Sequence, residues 1–315
     1  MNMKLKLLVS LQILLSVTVL YPQIIAIPDG YAAYAETTGG GNVTPITVTT
    51  PEQFKSAVNN NNPAVIIVVG KLDMRERIVR IGSNKTIIGA NETSGLYGGE
   101  ILLRRSNYIF QNLIIGPNPK GNAMRLLGAT KVFLHKCEFY DGANKNLNIV
   151  VGSDYVTVSW CKFYYVNQTI HKLSTLIGNS DHVPEDVGKL HVTMHHNWFA
   201  ENCRSRMPRV RYGHVHIYNN YYNSVGNMYC IGTGHKCHIR VENSYFEKIR
   251  KPWTNFGATT SGGVMGWNNL KFVNCSQPTY IDNSYPVFEV PYTYDMDPVD
   301  DVKTIVREGA GNVFS

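Results

Sequence analysis

The chain has 315 residues, a formal net charge of +7 and 43% hydrophobic residues. This charge excess is modest for the length and does not indicate a nucleic-acid-binding protein, while the apolar fraction is that of a folded chain rather than a disordered one. If an N-terminal leader is removed, as the first residues indicate, the chain keeps about 290 residues. This length is enough for one hydrophobic core, and a second domain is not required.

The N-terminal segment predicts a signal peptide. Lys4 and Lys6 precede an apolar run, residues 7–20, that is too short to span a bilayer. Cleavage near Ala26 would leave one domain over residues 27–315, although a small-x-small pattern ending at Ala35 offers a second site. We therefore expect a secreted, extracellular protein without a membrane anchor. Sequons for glycosylation in a eukaryotic secretory pathway occur at Asn42, Asn84, Asn91, Asn167 and Asn274.

A short helix is predicted after this leader. Thr50 is suited to the N-cap, Pro51 to the first helical position, and Gln53 stands three residues after the cap. The helix should continue to Val58 and cover the open N-terminal end of the fold. The first buried strand should follow it, over residues 64–70.

Six strands with the same pattern recur along the middle of the chain. They end at positions separated by 24, 24, 36, 23 and 24 residues, namely Leu113, Cys137, Cys161, Asn197, Asn220 and Ser244. Each strand alternates apolar with polar residues, and an aromatic residue follows two positions later in five of the six: Phe139, Phe163, Phe199, Tyr222 and Phe246. A fixed period of this size with short strands predicts an all-β solenoid, a parallel β-helix.

Two details of the repeat carry further predictions. The interval of 36 residues indicates a normal coil with an inserted loop at about residues 179–189. Asn197 and Asn220 occupy the same column at a turn, where their amides are expected to form hydrogen bonds along the solenoid axis. Residues 250–315 lose the repeat and gain prolines and acids, which predicts an irregular C-terminal cover that wraps along the outside.

Six cysteines in an exported chain permit three disulfides. Cys230 and Cys237 flank a glycine-rich loop and are the pair we expect to be bridged. Cys137 and Cys161 share a column on adjacent coils, where they would bridge or stack, and we favour stacking. Cys203 has no base at a defined spacing and is interpreted as structural rather than nucleophilic.

A cluster of arginines is the main candidate for function. Arg206, Arg209 and Arg211 lie within six residues, directly before the strand that begins at His214. Anchored beside a strand, they form a fixed cationic surface, which suits a polyanion or a reaction that builds negative charge next to a carboxylate. A charge run of this kind also occurs as a simple solvated face.

Four segments resemble the pectate lyases of polysaccharide lyase family 1. They are GSDYVTVSW (residues 152–160), LIGNSD (176–181), LHVTMHHNWF (190–199) and RMPRVRYG (206–213) with the strand after it. The resemblance continues in the same order from about residue 27 to the C-terminus. It implies a right-handed parallel β-helix, acting as a monomer, that cleaves the pectic polysaccharide homogalacturonan by β-elimination with calcium as cofactor.

The resemblance also implies roles for single residues. Arg206 matches the base that removes the proton from C5 of a galacturonate, and Arg211 matches the arginine that holds the substrate carboxylate. Arg209 is expected to bind substrate beside them. Lys172 stands one residue before the position of the family's lysine, which Leu173 occupies. In a regular strand this shift would turn the side chain to the other face unless a bulge restores it.

The calcium ligands of the family are altered in this sequence. His135, Asn144 and Asn148 stand at the positions that match its calcium aspartates. Two amides and an imidazole hold calcium poorly, because this ion prefers charged oxygen ligands. Three hypotheses therefore remain open. In the first, calcium is bound weakly, with carboxylates from the polymer and from Asp141, Asp154 or Asp181. In the second, the fixed charges of His135, Lys136 and Lys145 replace the metal, which resembles the calcium-free pectin lyases that act on methyl-esterified polymer. In the third, the protein binds pectin without cleaving it.

Other functions fit the sequence less well. A glycoside hydrolase needs paired carboxylates across the scissile bond, whereas the acids near the expected cleft are scattered singly. A transition-metal site at His214 and His216 is also disfavoured, because the column alignment stacks His214 on His191 and His216 on Thr193.

Overall fold

The computed structural model describes residues 25–75, 78–276 and 283–314. Over these residues the chain forms a parallel β-solenoid of about nine turns, so the predicted all-β parallel β-helix is confirmed. The predicted signal peptide, residues 1–26, lies outside the described residues except for its last two positions. No helix in the described part of the chain is long and apolar enough to cross a membrane.

In the part of the chain that the structure describes, three parallel sheets run along the solenoid. Sheet 1 consists of Ile46–Val48, Ala64–Val68, Lys85–Gly89, Ser106–Gln111, Thr130–His135, Asp154–Ser159, His191–His195, His214–Tyr218, His238–Glu242 and Val264–Asn268. Sheet 2 consists of Lys71–Asp73, Gly95–Tyr97, Ile114–Ile115, Glu138–Tyr140, Lys162–Tyr164, Trp198–Phe199, Tyr221–Tyr222, Tyr245–Glu247 and Lys271–Val273. Sheet 3 consists of Ile78–Ile81, Glu100–Leu103, Met124–Leu127, Leu147–Val150, Thr175–Ile177, Arg209–Val210, Ile231–Thr233 and Trp253–Asn255.

The register of sheet 1 agrees with the alignment expected from the sequence. The first residues of the six aligned segments are Cα partners on successive strands: Tyr108, Val132, Val156, Val192, Val215 and Ile239. All six are buried. Each coil therefore stacks an apolar residue on the matching apolar residue of the preceding coil, about 4.8 Å away.

An aromatic stack fills the core beside sheet 2. Phe139, Phe163, Phe199, Tyr222 and Phe246 stack ring on ring, with centroids 4.5–5.1 Å apart. These are the five aromatic residues of the repeat, and the near-parallel rings follow from the spacing of the coils.

An asparagine column connects neighbouring coils, as the sequence predicts. Asn220 Oδ1 accepts a hydrogen bond of 2.7 Å from the backbone N–H of Asn197, and its Nδ2 donates one of 2.8 Å to the carbonyl of Met194. Asn197 repeats the arrangement with Cys161 N and Val158 O, at 3.0 and 2.9 Å. The partners are backbone groups of the adjacent coil. Each amide therefore forms hydrogen bonds with an N–H and a C=O group of a turn that have no partner in the sheets.

Four α-helices accompany the sheets in the described ranges: α1 Gly30–Tyr34, α2 Pro51–Val58, α3 Ala258–Ser261 and α4 Val302–Gly309. Helix α2 is the predicted capping helix, and Thr50 Oγ1 accepts a hydrogen bond of 3.2 Å from Gln53 N at its start. Its buried residues Phe54 and Val58 cover the N-terminal end of the core. Helix α1 packs on sheet 1, where Thr193 and Thr157 accept hydrogen bonds from its backbone.

The prediction that the repeat ends at residue 250 is wrong. One further coil follows, with the strands Trp253–Asn255, Val264–Asn268 and Lys271–Val273. The sequence repeat is obscured in this coil because helix α3 is inserted between two of its strands. Phe272 nevertheless extends the aromatic stack. The cover begins later: residues of 283–301 contact sheet 1, and helix α4 packs against Tyr221 of sheet 2.

The predicted bridge between Cys230 and Cys237 is also wrong, since all six cysteines are free. Cys230 precedes a strand of sheet 3 and Cys237 a strand of sheet 1, so the two thiols lie in different corners of one coil. Cys137 and Cys161 stack unbridged on adjacent coils, as the sequence favours. Cys203 is fully buried, and burial raises the pKa of its thiol, which agrees with a structural role.

Candidate active site

The outer face of sheet 3 carries the candidate site. Along its strands Met124 and Leu126 point into the core, so that Arg125 between them points outward. The outward residues form one column of Cα partners from coil to coil: Arg80, Leu102, Arg125, Asn148, Leu176, Arg209, Gly232 and Thr254. We call this set the sheet 3 column.

Arg206 lies in the turn that leads into this sheet and is fixed by its backbone. Its carbonyl accepts a hydrogen bond of 2.5 Å from Thr175 N, and the next residue, Met207, donates one of 2.7 Å to Cys230 O. The turn is thereby attached to the coils on both sides. Arg206 has a φ of 63°, a left-handed conformation that is uncommon for arginine, and its side chain is half-buried.

Arg209 belongs to the sheet 3 column. Its guanidinium lies over the ring of Phe256, 4.2 Å from the centroid. Burial, and then repulsion from Arg211 and Arg206, lowers its pKa from the ordinary value. Its column neighbour Gly232 has no side chain, and a Cβ there would lie 3.1 Å from Arg209 Cγ. Glycine at this position therefore leaves room for the arginine stem.

Arg211 is held by the inserted loop. Its Nε donates a hydrogen bond of 2.6 Å to Asp181 Oδ1, and its Nη1 donates one of 3.2 Å to the carbonyl of Gly178. Tyr212 OH donates one of 2.5 Å to the carbonyl of Asp181. The loop predicted from the interval of 36 residues thus contributes an acid to the arginine cluster.

Lys172 does not join this cluster through any side-chain contact among the described residues. Its Nζ donates a hydrogen bond of 2.8 Å to Gln168 Oε1. Leu173 pairs with Ser205, and the backbone N–H of Arg204 donates to the carbonyl of Lys172. Lys172 is therefore level with Arg204 rather than with Arg206.

The three positions matched to calcium ligands are not brought together. His135 ends a strand of sheet 1, where Ser159 Oγ lies 2.9 Å from its Nδ1 and Phe133 stacks on its ring. Burial lowers its pKa to about 4. Asn148 stands on sheet 3, in the column described above, and Asn144 lies in the turn before its strand.

The donor set on sheet 3 does not fit calcium. Asn144 Oδ1 accepts a hydrogen bond of 2.9 Å from Lys145 Nζ, so an ammonium group occupies this oxygen. One of the two column neighbours of Asn148 is Arg125, a second cation, and the other is the apolar Leu176. No group of three or more histidine, cysteine or acidic residues in the described ranges is arranged to hold a metal ion. Calcium needs several charged oxygens, and here its neighbours would be two positive groups.

Sequence reasoning missed Arg125 and the acid that pairs with it. Arg125 Nη2 lies 2.5 Å from Glu100 Oε1. Lys145 is within electrostatic range of Arg206, Glu100 and Arg125, and its pKa is lowered to about 8, first by burial and then by Arg206. A signal was available: Arg125 stands 23 residues before Asn148, one period of the repeat, in a strand that alternates in the same way.

Comparison with known proteins gives a consistent result. Residues 129–310 match the family model described as pectate lyase. A pectate trisaccharide-lyase of Bacillus licheniformis is 34% identical over 90% of this chain and 85% of the relative, and pectate lyase A of Emericella nidulans is 31% identical over 91% and 86%. A pectate lyase of Bacillus sp. N165, solved in complex with trigalacturonate, has a TM-score of 0.77 and 26% identity, covering 90% of this chain and 98% of that one.

Proposed function

The chain belongs to the pectate lyase family and is a polysaccharide lyase, and we propose that it cleaves α-(1,4)-linked galacturonan at the outer face of sheet 3, with Arg206 as the base. The observation that carries this proposal is the position of Arg206. Its turn is fixed to two neighbouring coils, and Lys145 and Arg209 are cations within electrostatic range of it.

The chemistry of β-elimination accounts for such a cationic surface. A base removes the proton on C5 of a galacturonate, a double bond forms between C4 and C5, and the bond from C4 to the glycosidic oxygen breaks with its electron pair on the oxygen. Negative charge gathers on the C6 carboxylate in the transition state. Cations held in place beforehand stabilise this charge without reorganising, which is the most effective form of electrostatic catalysis.

The remaining arginines are proposed as carboxylate binders. Arg211 presents a guanidinium whose orientation is set by Asp181 and Gly178, and Arg209 presents one that rests on Phe256. Planar guanidinium groups recognise carboxylates with two parallel hydrogen bonds. The outer face of sheet 3 is the proposed substrate groove. For Lys172 we propose only a contact with polymer further along this groove, because its backbone is level with Arg204.

Calcium, the cofactor that the resemblance implies, has no fitting set of ligands among the described residues. The matched positions lie on two sheets, and those on sheet 3 adjoin Lys145 and Arg125. We further propose that the chain is secreted, which its N-terminal lysines and apolar run support. We propose that it acts as a monomer on pectic polysaccharide, since Arg206, Arg209 and Arg211 lie close together on one solenoid and the proposed site needs no second copy to complete it.

The experiment that tests the proposal is the release of unsaturated uronide, followed by its ultraviolet absorbance. The substrates are polygalacturonate and methyl-esterified pectin, each with calcium and with a chelator. Arg206→Ala should lower kcat by about 10²–10⁴-fold, the usual contribution of a general base. Arg204→Ala is the matched control, because it removes an exposed arginine two residues away.

The outcomes separate the candidate functions. Signal on polygalacturonate that is lost in Arg206→Ala alone supports the proposal. A larger signal on methyl-esterified pectin would instead assign the chain to pectin lyase activity. Binding of polygalacturonate without any signal at alkaline pH would identify a binding protein and overturn the proposal.

A further inference from the structure

An ion pair lies on the outer face of sheet 3, where Arg125 is a member of the sheet 3 column three coils before Arg209. Arg125 Nη2 lies 2.5 Å from Glu100 Oε1, and the side chain of Glu100 is only 6% exposed. The second carboxylate oxygen accepts hydrogen bonds from Asn122 N and Nδ2, at 3.1 and 2.6 Å. Glu100 is thus fixed by its neighbours and in turn orients Arg125, whose side chain is 28% exposed and open to solvent.

Lys145 supplies a second cation to the same place. It precedes the strand that carries Asn148, and its Nζ donates to Asn144 Oδ1. Arg125, Glu100 and Arg206 all lie within electrostatic range of its ammonium group. These three cations and one acid leave a net charge of +2, gathered where the chain has asparagines in place of the family's calcium aspartates.

Several buried polar atoms on and beside the sheet 3 column have no hydrogen-bond partner among the described residues, and two of them belong to adjacent members of the column. One is Oδ1 of Asn148, a residue only 7% exposed, and the other is Nε of Arg125. The two residues are Cα partners on neighbouring strands, so both atoms belong to the same part of the column. Buried polar atoms are costly to leave unpaired, and an unpaired donor and acceptor together suit a ligand that carries both functions.

We infer that Arg125 and Lys145, with Asn148, form a carboxylate-binding site that takes the place of the calcium ion, so that the groove binds uronate residues without a metal. The inference rests on the proposed function, since it concerns the same groove and the same polymer. The carboxylate of a uronate accepts from the guanidinium and the ammonium, and a sugar hydroxyl donates to Asn148 Oδ1. Glu100 is a positioning residue that acts through Arg125.

This site also determines which form of the polymer is preferred. A free carboxylate gains charge-assisted hydrogen bonds from two cations, whereas a methyl ester carries no charge and offers only weak acceptors. A divalent ion, conversely, is repelled by the net positive charge and finds no free carboxylate, because Glu100 is already paired with Arg125. The groove should therefore favour unesterified segments in the presence of chelator.

The test measures binding directly, by calorimetric titration of the full chain with trigalacturonate in the presence of a chelator. A second titration uses calcium chloride alone. Lys145→Met removes one cation, and the double variant Arg125→Gln with Glu100→Gln removes the ion pair without leaving a buried charge. Lys248→Met is the matched control, because Lys248 is an exposed lysine at the end of a sheet 2 strand.

We expect wild-type binding that the chelator does not change, no heat from calcium alone, and Kd values about tenfold or more higher in Lys145→Met and in the double variant. The control should bind as the wild type does. Stoichiometric calcium binding, or trigalacturonate binding that requires calcium, would overturn the inference even if the chain cleaves pectate. Metal-free binding that depends on Lys145, without cleavage, would uphold the inference while the proposed reaction fails.

Discussion

Nε of Arg211 lies 2.6 Å from Oδ1 of Asp181, although the two residues are thirty positions apart in the chain. The carboxylate belongs to the loop inserted into the repeat, and it meets a guanidinium that the proposed reaction needs for the substrate. The side chain of Asp181 is 48% exposed, whereas that of Arg211 is 13% exposed. The acid is therefore placed to hold the arginine in position and to compete with a substrate carboxylate for it.

Asp181→Asn should strengthen substrate binding. Loss of the competing charge is expected to lower the KM for polygalacturonate by about two- to fivefold at low ionic strength, with the difference shrinking as salt screens the groove. Steady-state kinetics at two salt concentrations check this. Glu185→Gln, an exposed acid in the same loop, serves as control. A higher KM in Asp181→Asn would show that orientation of Arg211 outweighs competition.

Glu242 is the centre of a buried network under the C-terminal cover. It accepts hydrogen bonds from His216 Nε2 at 2.8 Å, Arg240 Nη2 at 3.0 Å, Tyr285 OH at 2.6 Å and Tyr294 OH at 2.9 Å. Glu242→Gln would leave the charge of Arg240 without its buried partner. We expect the free energy of unfolding in urea to fall by about 3–5 kcal/mol.

Glu289→Gln is the control for this network. Glu289 Oε2 lies 3.4 Å from Nη1 of the same Arg240, but its side chain is 84% exposed. An exposed partner of this kind contributes about 0–1 kcal/mol, so the control should unfold close to the wild type. Equal losses in the two variants would contradict the central role of Glu242.

Buried histidines should make stability depend on pH. Burial lowers the pKa of His196 and of His214 to about 4, against about 6.5 in an unfolded chain. Between these values the unfolded state binds protons that the folded state does not. Stability is therefore complete above about pH 6.5 and falls as the pH drops toward 4, by at most about 1.4 kcal/mol per pH unit for each histidine.

Urea unfolding at several pH values between 7.5 and 4.5 measures this slope. His214→Gln should flatten it, because one proton-binding group of the unfolded chain is removed. His182→Gln, at an exposed position, should leave it unchanged. A urea midpoint that stays constant over this pH range would contradict the lowered pKa values of His196 and His214.

The asparagine column should be important for stability. Asn220→Ala would remove the partners of Asn197 N and Met194 O, two buried backbone groups. We expect a loss of about 2 kcal/mol or more. Asn223→Ala removes a half-buried amide whose side chain, among the described residues, accepts a hydrogen bond from the indole of Trp198 alone, and it should cost about 1 kcal/mol at most. Thermal or urea unfolding compares the two.

The repeat in the amino-acid sequence is sufficient to predict the solenoid and its columns. A period near 24 residues, strict alternation and a recurring aromatic residue specify which residues stack from coil to coil, because each coil must place an apolar side chain on that of the coil before it. The alignment of Tyr108 with Val132 and the stacking of Phe139 on Phe163 follow directly. Stacking along the axis is periodic, and it is therefore visible in the sequence as a repeat.

Which side chains meet around a coil could not be predicted and became known from the folded chain. The fold placed His135 on sheet 1 and Asn148 on sheet 3, paired Arg125 with Glu100, and joined Arg211 to Asp181. The turns between the strands of one coil vary in length. The direction in which each strand leaves its turn therefore depends on contacts with neighbouring coils rather than on the local sequence pattern. The last coil escaped prediction for the same reason, because helix α3 lengthens one of its turns.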